Sequence, residues 1–254
     1  MVLLEAVNVD KIYRNGGREI PALKDINLQI AQGEFVAVMG PSGSGKSTLL
    51  YALSGLDRVT SGRVRLSGQD LTRLSEDELA SVRLHRIGFI FQHMHLMRDL
   101  TLLDNIVLSA WLAGRQDRKS ILRRAGELMT LTGIAHLADH DISRVSGGQL
   151  QRAAICRALI NNPDILFGDE PTGALNSQAA RDIMRLLADI NRQGMTVVLV
   201  THDPRVAACA ERVLFMLDGR LAAEKRLGKI VQDSPEERRK RERQLSEWLI
   251  GQGF

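Results

Sequence analysis

The sequence predicts an α/β protein with a parallel-sheet core, an antiparallel β region at the N-terminus and an inserted helical lobe. Apolar and polar residues alternate over the first thirty positions, which is the period of strands with one buried face. Short apolar runs alternate with helical stretches later in the chain, as is typical of parallel strands covered by helices. From about residue 89 to 160, leucine, alanine and arginine recur at helical spacing.

Each element follows from a local pattern. Residues 4–9 and 23–30 alternate as strands do, and the Asn-Gly-Gly at 15–17 favours a turn between them. Residues 34–39 form a short, nearly unbroken apolar run that is suited to a strand buried on both faces, and a helical stretch follows at 49–53.

The second half of the chain returns to strands and ends in a charged tail. Strand-like runs at 164–168 and 196–201 flank a predicted helix at 177–191, and a further strand is expected at 213–217. We expect residues 1–224 to form the main domain and residues 225–254 a C-terminal helical tail that begins at Ser234 as cap and Pro235 as first helical residue. Leu245, Trp248 and Leu249 form a short apolar stripe, which favours packing of this helix on its own domain over docking on a partner.

Composition excludes several classes of protein. Of 254 residues, 44% are hydrophobic and 25% charged, which is typical of a globular chain and not of a disordered one. The longest apolar runs are far shorter than the roughly 20 residues that span a bilayer, and the first residues lack the basic segment of a signal peptide, so we expect a cytoplasmic chain. The net charge is +4. Residues 225–254 contain eight basic and five acidic side chains and therefore carry most of this excess.

A glycine-rich segment after the first buried strand fits the pattern G-x-x-x-x-G-K-[ST] in full. Its glycines let successive N–H groups point at phosphate oxygens, and the helix that follows adds its dipole. Lys46 would reach the β- and γ-phosphates of a nucleotide, and the Ser47 hydroxyl would bind Mg²⁺. The predicted phosphate-binding residues are Gly40, Pro41, Ser42, Gly43, Ser44, Gly45, Lys46, Ser47 and Thr48.

Two further motifs point to the same chemistry. Asp169 and Glu170 follow a buried strand; Asp169 suits the water shell of Mg²⁺, and Glu170 suits polarising an attacking water. Taken alone, the pair could also be the acidic start of a helix. Ser146, Gly147, Gly148 and Gln149 precede a helical stretch and make a second candidate anion site.

These motifs, in this order, resemble those of the ATP-binding-cassette (ABC) ATPases over roughly residues 2–222. The resemblance implies a P-loop NTPase fold with ATP and Mg²⁺ as cofactors. In that family, two copies assemble head to tail, and the Ser-Gly-Gly-Gln of one subunit caps the γ-phosphate held by the other. Residues 146–149 would then contribute to the nucleotide site of a second copy of the chain.

The resemblance assigns three more residues. Tyr13 is similar to the aromatic residue that stacks on adenine, although it could be a strand-surface tyrosine. Gln92 is similar to the glutamine that contacts Mg²⁺ and the attacking water, so it joins Ser47 and Asp169 as a predicted metal ligand. The alternative is a polar surface residue, which a lone glutamine usually is. His202 is similar to the histidine that contacts the γ-phosphate, with a capping or core histidine as the alternative. Glu170 and His202 are the predicted catalytic residues.

Three segments are similar to one branch of the family, namely residues 83–92, 100–105 and 169–173. That branch powers lipoprotein release, macrolide export, antimicrobial-peptide resistance and cell division. This implies an energy-coupling ATPase on the inner face of a bacterial inner membrane, which drives a separate permease through residues of about 92–111. An importer ATPase is the alternative. A non-transport ABC ATPase acting on nucleic acid or ribosomes is less favoured, because there is no long insertion and no second cassette; no nucleic-acid partner is expected. Asn176 stands where the family commonly has aspartate.

Overall fold

The computed structural model describes residues 1–230 and 234–253. The chain divides into two compact units, Met1–Leu79 with Asn191–Phe254, and Ala80–Ile190. In chain order its strands and helices are β1 (Val2–Asn15), β2 (Arg18–Ala31), β3 (Phe35–Met39), α1 (Lys46–Leu53), β4 (Ser61–Leu66), β5 (Gln69–Asp70), α2 (Glu76–Arg86), β6 (Ile87–Ile90), α3 (Leu102–Ala113), α4 (Arg118–Leu131), α5 (Gly147–Leu159), β7 (Ile165–Asp169), α6 (Ser177–Arg192), β8 (Thr196–Val200), α7 (Pro204–Ala207), β9 (Arg212–Leu217), β10 (Arg220–Arg226) and α8 (Pro235–Gly251). Within these described residues, no helix combines the length and apolar character needed to cross a membrane.

The antiparallel region at the N-terminus is confirmed. Strands β1 and β2 pair antiparallel, and the sheet continues to β4 and β5 in the order β2-β1-β4-β5. The predicted turn between β1 and β2 contains Gly16 and Gly17 at φ of 56° and 80°, a conformation that favours glycine. Strands β4 and β5 were not predicted.

The first unit also contains the parallel strands that carry the phosphate loop. Strand β3 pairs in parallel with β8 on one side and β9 on the other, while β10 pairs antiparallel with β9. All five residues of β3 are buried, as the apolar run predicts. Because parallel strands end at the same edge of a sheet, the segments after β3 and after β8 leave that edge side by side.

The second unit contains the helices of the predicted lobe and one short pair of parallel strands, β6 and β7. Strand β6 was missed, because four residues containing a glycine are too short to show a period. Gly88 in this strand permits a close approach to α5, since a Cβ there would lie 2.6 Å from the Ala158 carbonyl oxygen.

The predicted C-terminal helix exists as α8. The Ser234 hydroxyl accepts a hydrogen bond from the Glu237 N–H at 3.1 Å, as expected for its cap. Leu245 and Leu249 are buried, and the Trp248 ring lies edge-on to Phe215 with centroids 6.3 Å apart, so the helix packs on its own unit. Residues 231–233 and 254 of the predicted tail lie outside the described residues, and a domain division at residue 224 stays a prediction.

Candidate functional site

The phosphate loop connects β3 to α1 through backbone that only glycine allows at two positions. Gly40 and Gly45 have φ of 150° and 98°. A Cβ on Gly40 would lie 2.2 Å from the Met216 carbonyl oxygen, and one on Gly45 would lie 2.5 Å from the Ala22 carbonyl oxygen. The loop is therefore seated against β9 and β2, and these glycines fix its path toward the first turn of α1.

Two side chains of the loop indicate what it binds. Lys46 Nζ donates to the carbonyl oxygens of Gly40 and Pro41 at 2.9 and 2.8 Å, so its ammonium group lies over the loop itself. The Ser44 hydroxyl is buried and has no hydrogen-bond partner among the described residues. An unpaired buried hydroxyl is costly, and a phosphate oxygen would satisfy it. The loop fits a nucleotide phosphate on this observation.

Tyr13 lies near the loop. Its hydroxyl donates to Asp57 Oδ2 at 2.7 Å, and Lys11 Nζ lies 4.8 Å from the ring centroid. Burial and the hydrogen bond to Asp57 raise the pKa of Tyr13, while a hydrogen bond with the Thr48 side chain acts in the opposite direction. Tyr13 therefore lies beside the first turn of α1 with a partly exposed ring, and its adenine-stacking role stays a prediction. Sequence reasoning missed the support by Lys11 and Asp57, which have no shared motif.

His202 lies at the same sheet edge as the phosphate loop. It follows β8, which pairs with β3 through Val200 and Val38, and its side chain is exposed. The next residue, Asp203, caps α7 by accepting from the Arg205 N–H at 2.8 Å. The first unit thus places His202 at the carboxyl end of the strand next to the one that leads into the loop.

In the second unit, the acidic pair lies where the sequence predicts. Asp169 ends β7 and is buried, while Glu170 has φ of 45°, a strained value for a residue with a side chain. A Cβ on Gly173 would lie 3.2 Å from Glu170 Oε2 and 3.3 Å from Gln92 Nε2. The predicted catalytic carboxylate and the predicted glutamine therefore border the same space beside Gly173, which a side chain at that position would narrow.

The Ser-Gly-Gly-Gln motif begins helix α5. The Ser146 hydroxyl accepts from the Gln149 N–H at 3.4 Å, and Gln149 Oε1 accepts from the Ser146 N–H at 2.8 Å, which is a capping box. Gly148 lies close to α6, since a Cβ on it would be 3.3 Å from Ala179 Cβ. Helix α6 is capped by Asn176, whose Oδ1 accepts from the Ala179 N–H at 2.9 Å.

The first unit therefore brings together Tyr13, the phosphate loop and His202, and the second brings together Gln92 and Glu170, with Asp169 one residue away. The predicted Mg²⁺ ligands offer hydroxyl, amide and carboxylate oxygens, which is the donor chemistry that Mg²⁺ takes. Within the described residues, no group of three or more histidine, cysteine or acidic side chains is arranged for another metal.

An ATP-binding cassette is defined by a glycine-rich phosphate loop between a buried parallel strand and a helix. An inserted lobe with a capped Ser-Gly-Gly-Gln helix follows, as it does in this chain. The family model described as ABC transporter matches residues 23–173. The chain belongs to the ABC transporter family, and its fold is that of the ABC ATPase cassette.

Relatives and solved structures agree with this placement. The macrolide export ATP-binding/permease protein MacB of Chlorobaculum tepidum is 45% identical over 219 residues, which are 85% of this chain and 33% of that protein. MacB of Salmonella choleraesuis is 44% identical over 240 residues, 94% of this chain and 36% of that protein. The chain thus spans about a third of the length of these relatives.

Among solved structures, a post-hydrolysis dimer of the ATP-binding cassette MJ0796 bound to ADP and Pi matches with a TM-score of 0.83. It is 41% identical, and the match covers 90% of this chain and all of that one. CbiO1 of Clostridium perfringens, part of the transporter complex cbiONQ, matches with a TM-score of 0.79 at 28% identity, over 89% of this chain and 88% of that one.

Proposed function

We propose that the chain hydrolyses ATP as an energy-coupling subunit and drives a membrane permease involved in export, lipoprotein release or peptide resistance. The position of Glu170 and Gln92 on the same space beside Gly173 carries the proposal, because a carboxylate and an amide there face one small volume directly after the buried strand that ends in Asp169. Such a pair can hold one water molecule by donating from the amide and accepting at the carboxylate. The strained backbone at Glu170 supports a catalytic role.

In the proposed reaction, Glu170 polarises the water that attacks the γ-phosphate, and His202 contacts that phosphate. Lys46 and the N–H groups of the phosphate loop stabilise the negative charge that develops in the transition state. Mg²⁺, held by Ser47, Gln92 and Asp169, would neutralise charge on the phosphates. Tyr13 would stack on the adenine ring.

A second copy of the chain would complete each site. Ser146 and Gly148 of the partner would cap the γ-phosphate with the hydroxyl and N–H groups at the start of α5, where the helix dipole favours an anion. The dimeric MJ0796 cassette bound to ADP and Pi supports this assembly. The head-to-tail arrangement is part of the proposal.

The membrane partner would contact residues of about 92–111. Met97 and Trp111 are exposed large apolar side chains in this segment, at 54% and 43%, which suits a surface covered by another protein. The relatives named MacB are ATP-binding/permease proteins, which supports a permease as that partner. The cassette would then lie at the cytoplasmic face of a bacterial inner membrane.

The experiment that tests the proposal replaces Glu170 with glutamine. We expect Glu170→Gln to bind ATP with unchanged affinity, to lose at least about 100-fold in kcat, and to accumulate as an ATP-bound dimer in size-exclusion chromatography. Glu19→Gln is the matched control, because Glu19 is an exposed carboxylate on β2 paired only with the exposed Arg14 in the described contacts. Hydrolysis by Glu170→Gln at the wild-type rate would contradict the proposal.

A further inference from the structure

The C-terminal helix buries one arginine whose guanidinium group binds backbone carbonyls. Arg241 is only 3% exposed. Its Nε donates to Ala208 at 2.8 Å, its Nη2 to Ala210 at 2.6 Å, and its Nη1 to Leu227 and Gly228 at 2.9 and 3.0 Å. A buried cation is tolerated only when its donors are largely satisfied, and these four carbonyl oxygens accept from four of its five N–H groups. Its i,i+4 spacing from Glu237 would by itself indicate an ion pair on the helix surface.

The carbonyls of Ala208 and Ala210 lie at the end of the segment that begins with His202. The Asp203 N–H donates to Thr201 Oγ1 at 3.0 Å, and α7 follows directly. The Ala208 N–H donates to the Pro204 carbonyl at 2.8 Å and closes the single turn of α7. Hydrogen bonds thus connect the backbone continuously from the end of β8 to the carbonyls that Arg241 binds.

Helix α7 needs this external support. It has four residues, and an isolated helix of that length is not stable in water. At its start, the cap by Asp203 fixes its direction, and at its end the Arg241 guanidinium satisfies the carbonyl of Ala208. His202 lies directly before this capped segment, so a displacement of α7 would also displace the backbone that carries the His202 side chain.

We propose that Arg241 is a positioning residue for His202, which it holds through α7 from the C-terminal helix. The inference rests on the catalytic role proposed for His202. Lysine could not replace Arg241 fully, because an ammonium group lacks the planar fork that reaches carbonyls on two sides. Helix α8 keeps independent anchors in Leu245, Leu249 and Trp248, so it can stay in place when Arg241 is replaced.

A double-mutant cycle tests this inference in the full chain with MgATP. We expect Arg241→Gln to lower kcat about tenfold while the Kd for ATP changes less than about twofold, because a small displacement of a catalytic group costs rate and the phosphate loop is untouched. Arg241→Lys should give an intermediate kcat. In the His202→Ala background, Arg241→Gln should cause no further loss of kcat, since its effect is exerted through the missing imidazole.

The control is Arg239→Gln, because Arg239 lies on the exposed face of the same helix and its replacement should leave kcat unchanged. If His202→Ala hydrolyses ATP at the wild-type rate, the proposed role of His202 fails and this inference fails with it. If His202→Ala is impaired, either of two results overturns only the inference on Arg241. One is an unchanged kcat in Arg241→Gln alone, and the other is a further loss of kcat when Arg241→Gln is added to His202→Ala. Should Arg241→Gln lose ATP binding, Arg241→Lys is compared in the same cycle and judged by the same outcomes.

Discussion

Replacement of Gly45 by alanine should destabilise the chain much more than the same change at a glycine with free space. Gly45 has φ of 98°, and a Cβ there would lie 2.5 Å from the Ala22 carbonyl oxygen and 3.3 Å from Leu23 Cδ2. The left-handed backbone costs an L-residue about 1–2 kcal/mol, and forcing an extra methyl group into a close-packed site costs about 1–3 kcal/mol. Together they amount to about 2–5 kcal/mol.

Gly68 provides the matched control. It has a similar φ of 81°, and a Cβ there would meet no atom within 4 Å, so Gly68→Ala should carry only the backbone cost of about 1–2 kcal/mol. At about 2–4 °C of Tm per kcal/mol for a chain of this size, we expect Gly45→Ala to melt about 10 °C lower than wild type and Gly68→Ala about 5 °C lower.

Thermal unfolding without nucleotide, followed by circular dichroism, measures both variants. Gly45→Ala should also weaken ATP binding at least about tenfold, because relief of the clash displaces the phosphate loop, whereas Gly68→Ala should bind ATP as the wild type does. Equal losses of Tm in the two variants would refute the close approach of the loop to β2 as the reason for a glycine at position 45.

Two further predictions concern a thiol and a helix cap. Burial raises the pKa of the Cys156 thiol to about 12, so its thiolate is almost absent at pH 8. Iodoacetamide should therefore label the less buried Cys209 in the native chain and both cysteines after denaturation, as mass spectrometry can determine. Preferential native labelling of Cys156 would contradict its burial. Asn176→Ala should lower the free energy of unfolding by about 0.5–2 kcal/mol because helix α6 loses its cap, while Asn176→Asp should keep the stability of the wild type. Equal Tm values of the two variants would count against the cap.

The sequence predicts the position of the motifs in the fold better than it predicts the contacts that support them. Strand, glycine loop and helix are local patterns, so the phosphate loop, the acidic pair after β7 and the helix that follows Ser146 could all be located from neighbouring residues. The contacts of Tyr13 with Asp57 and of Arg241 with Ala208 join residues tens of positions apart, and no local period encodes such pairs. Strand β6 escaped for a different reason, because four residues cannot show alternation.

Burial of Arg241 also changes the meaning of the charge in the tail. Counted from the sequence alone, the eight basic and five acidic side chains of residues 225–254 leave a net positive charge that anionic headgroups would attract. The Arg241 guanidinium group is buried and donates to backbone carbonyls of its own unit, and Lys229 Nζ lies 3.7 Å from Glu211 Oε1. On the exposed face of α8, Arg239, Lys240 and Arg243 lie between Glu236 and Glu247, so basic and acidic groups are close to each other along the helix. Mixed charges at such distances cancel beyond about one Debye length, and long-range attraction to an anionic surface is therefore weaker than the composition indicates. The helix is better explained by the short-range contacts with which it holds the segment after His202.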